Sequence, residues 1–217
     1  MIAGKKVVHL KGAAGGLLTN RMSETYKDDI VSTLSNYDII VVDGDWYADN
    51  SFTFILKQLA EKNRKSQTIL FFKKVSEKEG HDNILTKLNE RVNKRYGFLH
   101  GTSKRMHFIP VSDEFLMNDT ANLNGKWYRE YAGLGRYVWR YMKHHFKPER
   151  QDIVFLAGGA TAMKEIEMYA KEANSVHLFR NIKTQNKKNK TKVFNTNSMH
   201  KLLTNQVGSK YTARYQS

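Results

Sequence analysis

The 217-residue chain contains no cysteine, which excludes disulfide bridges, thiolate metal ligands and a cysteine nucleophile. It has only 2 prolines, and no Pro-rich or Gly/Ser-rich stretch marks a linker. No apolar run approaches the roughly 18–20 residues of a membrane-spanning helix, so no membrane partner is expected. The opening Met-Ile-Ala-Gly-Lys-Lys leads into a strand-like Val7-Val8-His9-Leu10, not into the longer apolar region of a signal peptide. An intracellular protein, cytoplasmic or nuclear and not secreted, is expected. Also missing are a P-loop, a full Gly-x-Gly-x-x-Gly fingerprint, a Gly-x-Ser-x-Gly elbow and any His-x-x-x-His or His-x-His pair. Finally, no acid follows Glu172, although nine lysines and arginines do.

Positive charge is what the chain has in excess. Lys and Arg total 36 against 21 acids, a formal net charge of +15. The acid-free end, with Lys187, Lys188, Lys190 and Lys192 at its centre, is similar to the basic arms that bind DNA, RNA or an acidic surface. A solvated, lysine-rich tail is the plainer reading. With 40% hydrophobic and 12% aromatic residues, the remainder can bury one sizeable core. The expected division is an α/β domain over residues 1–181 and a basic C-terminal extension over 182–217.

Strand-length apolar runs alternate with helix-length patterns. Lys6–Leu10, Asp38–Val42, Thr68–Phe72, Met106–Val111, Ile153–Ala157 and Ser175–Phe179 read as strands. Helices are predicted where Met22, Tyr26, Ile30 and Leu34 recur, after the Asp49-Asn50-Ser51 caps, over His81–Tyr96 and over Lys126–His145. Ser112–Gly125 reads as a loop, and past Phe179 only a weak Met199–Leu203 segment shows a period. The alternation predicts an α/β fold: a mainly parallel, Rossmann-like sheet of about six strands with helices on both faces.

In open parallel sheets, ligands sit beyond the carboxyl ends of the strands. Three such ends carry unusual residues: Gly12 to Gly16, Asp43-Gly44-Asp45, and Gly158-Gly159. Glycine pairs such as Gly15-Gly16 and Gly158-Gly159 let the backbone turn tightly and approach a ligand closely. The helix after Gly159 turns its unpaired N–H groups toward that place, which suits a phosphate. Asp43 and Asp45 would then meet ribose hydroxyls or supply acid–base chemistry, with Glu165 in the first turns of the helix. A second use of the Asp pair is to hold Mg²⁺ through oxygen ligands. Locally it looks like the Asp-x-Asp of Toprim nucleic-acid enzymes and nucleotide-sugar glycosyltransferases. A Toprim site also needs an upstream strand ending in glutamate, and the first strand here ends in Lys11-Gly12. Each turn also has an ordinary structural reading.

Leu156-Ala-Gly158-Gly159-Ala-Thr161-Ala-Met-Lys-Glu165 resembles the strand–Pro-Gly-Gly-x-Gly-Thr-x-x-Glu–helix signature of the lysine-decarboxylase-like, or LOG, proteins. The glycine pair and Glu165 match in register, while Ala157, Thr161 and Ala162 replace the Pro, the third Gly and the Thr. Gly15-Gly16-Leu17-Leu18 echoes the family's Gly-Leu-Met-Gly. The resemblance implies a Rossmann-like domain that binds nucleotides or cleaves N-glycosidic bonds. It also implies that Gly158, Gly159 and Thr161 hold phosphate and that Glu165 acts near the ribose.

The long helix suggests a different function. Arg136, Arg140, Lys143 and Lys147 form one stripe beside Tyr137, Tyr141 and His144, opposite a buried stripe of Leu134, Val138 and Met142. Cations interleaved with rings can track a phosphate backbone and stack on bases, although a solvated amphipathic helix has the same pattern. Three readings therefore stand. The leading one is a nucleotide or nucleoside-phosphate binding protein that acts as a hydrolase or transferase at an N-glycosidic bond. The second is a non-enzymatic nucleic-acid-binding or nucleoprotein component. The third is a metal-dependent Asp-x-Asp enzyme acting on nucleic acid or a nucleotide sugar.

Overall fold

Each of the six apolar runs forms a strand, and all of them pair in parallel. The structure, a computed structural model, describes residues 4–12, 26–44, 55, 58–59, 66–73, 106–111, 126–156, 160–180 and 196–215. Its strands are β1 (Lys6–Gly12), β2 (Ile39–Gly44), β3 (Gln67–Lys73), β4 (Met106–Val111), β5 (Arg150–Leu156), β6 (Val176–Arg180) and β7 (Tyr211–Tyr215). They lie in the order β4-β3-β2-β1-β5-β6-β7. The chain thus winds outward from β1 through β2 to β4, returns to place β5 on the other side of β1, and winds outward again. Between β1 and β5 the winding reverses direction.

Strand parity sorts the side chains onto two faces. On one face Val8, Leu10, Ile40, Val42, Val154 and Leu156 pack with Ile30, Val31 and Leu34 of α1 (Lys27–Leu34), and with Ile55 and Leu59. Among the described residues, the opposite face carries α2 (Lys126–Tyr141), α3 (Ala160–Tyr169) and α4 (Thr196–Val207). There Val7, Ile39, Val41 and Ile69 meet Leu134, Val138 and Met142, while Ile153, Phe155, Val176 and Leu178 meet Ile166, Met199 and Leu203. Covered on both faces, a central strand such as β5 is buried from Gln151 to Leu156, and such strands read as unbroken apolar runs.

Two expectations change. The helix predicted to His145 ends its α-helical part at Tyr141, continues as a π-helical turn over Met142–Phe146, and stops at Lys147, whose φ of 44° is left-handed. Residues 196–215, expected within a basic extension, supply α4 and the seventh strand of the same sheet, paired with β6 from Val176↔Tyr211 to Arg180↔Tyr215. Met199, Leu203 and Val207 recur every fourth residue and bury one face of α4 against α3. The helices predicted after Asp49 and over His81–Tyr96 fall largely or wholly outside the described residues, as does the loop Ser112–Gly125. Among the described residues no helix is long and apolar enough to cross a membrane.

β1 and β5 stay paired to their carboxyl ends, where Gly12 lies beside Leu156. A Cβ on Gly12, whose φ is +154°, would overlap the Leu156 carbonyl oxygen. The glycine is required by that backbone approach. Gly12→Ala is expected to destabilise the fold by about 2–3 kcal/mol, read as a lower urea midpoint at unchanged m-value; wild-type stability would show that the two strand ends are not held together.

Candidate functional site

Lys11 is the last side chain of β1 on the α2/α3 face, and it is buried. The β1–β2 register places Leu10 beside Val42, so the following residues, Lys11 and Asp43, are neighbours on one face. Lys11 Nζ donates to Asp43 Oδ2 and, at 3.0 Å, to Glu165 Oε1 on α3. The three side chains are 2%, 6% and 8% exposed, so this is an interior ion cluster. Tyr169, one helical turn after Glu165, donates its hydroxyl to the same Oε1 at 2.9 Å. Lys11 Nζ also sits 5.7 Å from the centre of the Tyr169 ring.

A glycine of α2 makes room for the cluster. A Cβ on Gly135 would overlap Glu165 Oε1 and lie 2.9 Å from both Lys11 Nζ and Tyr169 OH. Glycine costs about 1 kcal/mol against alanine inside a helix, and here the cost is offset by the contact it permits. Behind the cluster, Trp139 stacks on Tyr169 with ring centres 5.4 Å apart and meets His9 at 4.8 Å. Gln151 Nε2 donates to the Trp139 carbonyl at 3.1 Å and lies 2.8 Å from His9 Nε2. Since that amide nitrogen is a donor, His9 Nε2 accepts and the ring carries its proton on Nδ1.

The ionisation of the cluster follows from burial and from its charge count. Burial pulls the Lys11 ammonium down, but the two carboxylates outweigh it and its pKa lies above the ordinary value. Burial raises Glu165, Lys11 opposes the rise, and the Asp43 charge adds to it, leaving the carboxyl above the ordinary range. One cation shared by two carboxylates cannot fully compensate both. Burial and then Glu165 push the Tyr169 hydroxyl well up, so it remains a donor. Burial, reinforced by Lys11, holds His9 well below its ordinary value and therefore neutral.

Of the residues singled out by sequence, Asp43 and Glu165 meet through Lys11. Asp45, Gly15, Gly16, Gly158 and Gly159 lie outside the described residues. β5 ends at Leu156 and α3 starts at Ala160, so the Gly158-Gly159 connection is short, and half-buried Thr161 stands in the first turn of α3. As for Mg²⁺ between Asp43 and Asp45, the Asp43 carboxylate accepts from the Lys11 ammonium. Among the described residues no group of three or more His, Asp or Glu is placed to hold a metal.

Along α2, Arg136 and Arg140 are half-buried, and Lys143 in the turn after it pairs with Glu172 at 3.0 Å. Lys187, Lys188, Lys190 and Lys192 lie outside the described residues, as do Lys87, Arg91, Lys94 and Arg95. Sequence reasoning passed over Lys11, Gly135 and Tyr169. The available signals were a lysine continuing an apolar strand, a glycine inside a helix, and a tyrosine four residues after Glu165. No protein-family model, curated protein or solved structure matches the chain.

Lys11→Met keeps the length of the side chain but leaves two carboxylates unpaired in the interior. It is expected to cost about 3–5 kcal/mol at neutral pH. The deficit should shrink as pH falls toward 5, because protonation relieves the repulsion; a pH-independent deficit would mean that packing, not charge, is lost. In the wild type, a raised Glu165 contributes stability that is complete below its ordinary pKa and is lost as pH rises through the folded value. Glu165→Gln should therefore flatten the fall in stability that begins as pH rises out of the ordinary carboxylate range, as chemical denaturation at stepped pH would show.

Proposed function

We propose that the chain binds a nucleotide or nucleoside phosphate across the carboxyl ends of β1, β2 and β5. The observation that carries this reading is the position of the Lys11–Asp43–Glu165 cluster at the reversal of strand order, where open parallel sheets bind their ligands. The start of α3 lies four residues beyond the end of β5, so its first N–H groups serve a phosphate at the same rim. Asp43, on the neighbouring strand, serves a ribose hydroxyl. Glu165, which holds its proton more tightly than an ordinary carboxyl, is the acid–base candidate for cleavage or transfer at an N-glycosidic bond. The LOG-like spacing of the residues from Leu156 to Glu165 supports the same reading.

Nucleic-acid binding along α2 has less support, because Lys143 is paired and Arg136 and Arg140 are half-buried. A metal-dependent Asp-x-Asp site has less support because Asp43 serves Lys11. The test is calorimetric titration of the chain with nucleoside monophosphates, nucleosides and inorganic phosphate. Asp43→Asn is the informative variant, since it leaves Lys11 and Glu165 paired one to one. Mononucleotides should bind in the micromolar range, with roughly a tenfold loss in Asp43→Asn for one charge-assisted hydrogen bond. Mononucleotide binding that ignores this substitution would sink the assignment. If only oligonucleotides bind, with affinity falling steeply with salt, nucleic-acid binding replaces it.

A further inference from the structure

At the other end of the sheet a second set of polar groups surrounds a cavity of about 310 Å³. It lies between α1 and the α1-facing side of the strands. Lys6 of β1, Arg150 of β5, His177 of β6 and Arg214 of β7 line its sheet side. Parity accounts for the convergence. Lys6 shares a face with Val8, Arg150 with Asp152, and His177 with Phe179, while Arg214 lies in register beside Phe179. The return helices α2, α3 and α4 all pack on the opposite face.

The floor of this groove is rigidly held. Arg150 Nε donates to Asp152 Oδ2 at 2.6 Å and its Nη2 to Ser175 Oγ at 3.0 Å. Asp152, itself fully buried, also accepts from Tyr37 OH at 2.5 Å and from the Ser175 amide at 2.7 Å. Ser175 Oγ, which accepts from Arg150, lies 3.3 Å from His177 Nε2. His177 Nδ1 is buried and has no hydrogen-bond partner among the described residues. Burial and then Arg214 hold His177 below its ordinary pKa, so an anion here would reverse an existing repulsion.

The helix side has the opposite character. Asp29 and Thr33 of α1, and Asn36 just past its end, line it. The Thr33 hydroxyl donates to the Asp29 carbonyl and Asn36 Nδ2 donates to the Ser32 carbonyl, so both side chains turn an acceptor oxygen outward from their own helix. One wall therefore offers cations and an unpartnered ring nitrogen, and the other offers acceptors for hydroxyl groups. Tyr37 is buried with its hydroxyl held by Asp152, so among the described residues of the groove no phenol or indole ring is open for a base to stack on. The volume is at the small end of small-ligand sites, roughly 300–1,000 Å³.

We propose that this groove is a separate binding site for a small sugar phosphate, with the phosphate on Lys6, Arg150 and Arg214 and the hydroxyls on Asp29, Thr33 and Asn36. It does not depend on the nucleotide reading. The experiment is calorimetric titration of the full chain with ribose 5-phosphate, inorganic phosphate and ribose, with His177 followed by imidazole NMR. Arg214→Gln and Asp29→Asn are suitable variants, since both residues are exposed and neither belongs to the core.

Ribose 5-phosphate should bind with Kd below about 1 mM, and Arg214→Gln should weaken it roughly fivefold. Asp29→Asn should weaken ribose 5-phosphate and leave inorganic phosphate unaffected. The His177 imidazole signals should move on binding and its pKa should rise. No binding up to about 10 mM, or binding indifferent to Arg214→Gln, overturns the proposal. Inorganic phosphate binding as tightly as the sugar phosphate overturns the sugar part of it. Loss of ribose 5-phosphate binding in Asp43→Asn with retention in Arg214→Gln moves the ligand to the carboxyl ends, which refutes the groove and leaves the nucleotide reading standing.

Discussion

An ammonium group placed between two carboxylates away from water constrains everything near it. Taking one charge out of water costs several kcal/mol, and the attraction between partners repays this only when the geometry is tight and the remaining lone pairs are satisfied. Lys11, on β1, meets that condition by engaging the neighbouring strand and a helix at once, and Tyr169 satisfies the Glu165 oxygen that Lys11 shares. The requirement then spreads outward. Gly135 must have no side chain, α2 must cross above α3 at that point, and Trp139 must lie flat on Tyr169. The relative placement of β1, β2, α2 and α3 is thus tied to one charged contact as well as to apolar burial.

The same contact sets the sense of any ligand at the carboxyl ends. Lys11 is outnumbered by Asp43 and Glu165, so the cluster as a whole repels anions unless Glu165 keeps its proton. Of the cluster's own groups only Lys11 is a cation, and Asp43 and Glu165 already share it.

How much of this was legible depends on how each residue resolves its environment. β1, β2, β5 and β6 are buried on both faces, so their sequences are nearly uninterrupted runs of Val, Ile, Leu and Phe. β7 is an edge strand of Tyr, Thr, Ala, Arg and Tyr, where water takes what the sheet does not, and no run appears. α4 needs only Met199, Leu203 and Val207 to attach it, too sparse a stripe to stand out among polar residues. Glu165 was visible as an acid in the first turns of a helix. Lys11 was not, because a lysine at a strand end has an ordinary solvated reading. What distinguishes it, the pairing with residues 32 and 154 positions away, exists only once the sheet is assembled.

The excess of positive charge also acquires a location. Along the described part of α2 and the turn that follows it, Lys143 is neutralised by Glu172, and Glu172 is in turn held below the ordinary carboxylate range, against the effect of its own burial, by hydrogen bonds from Lys143 and Trp139. In the groove beside the amino ends of β1 and β5, by contrast, Lys6, Arg150 and Arg214 come together from three strands far apart in sequence, with Asp152 beneath them and Asp29 across the groove. Three cations against two carboxylates leave a local surplus, where the cluster beneath the opposite ends has a local deficit. Among the described residues, the groove and the Lys11 cluster therefore differ in the sign of their net charge.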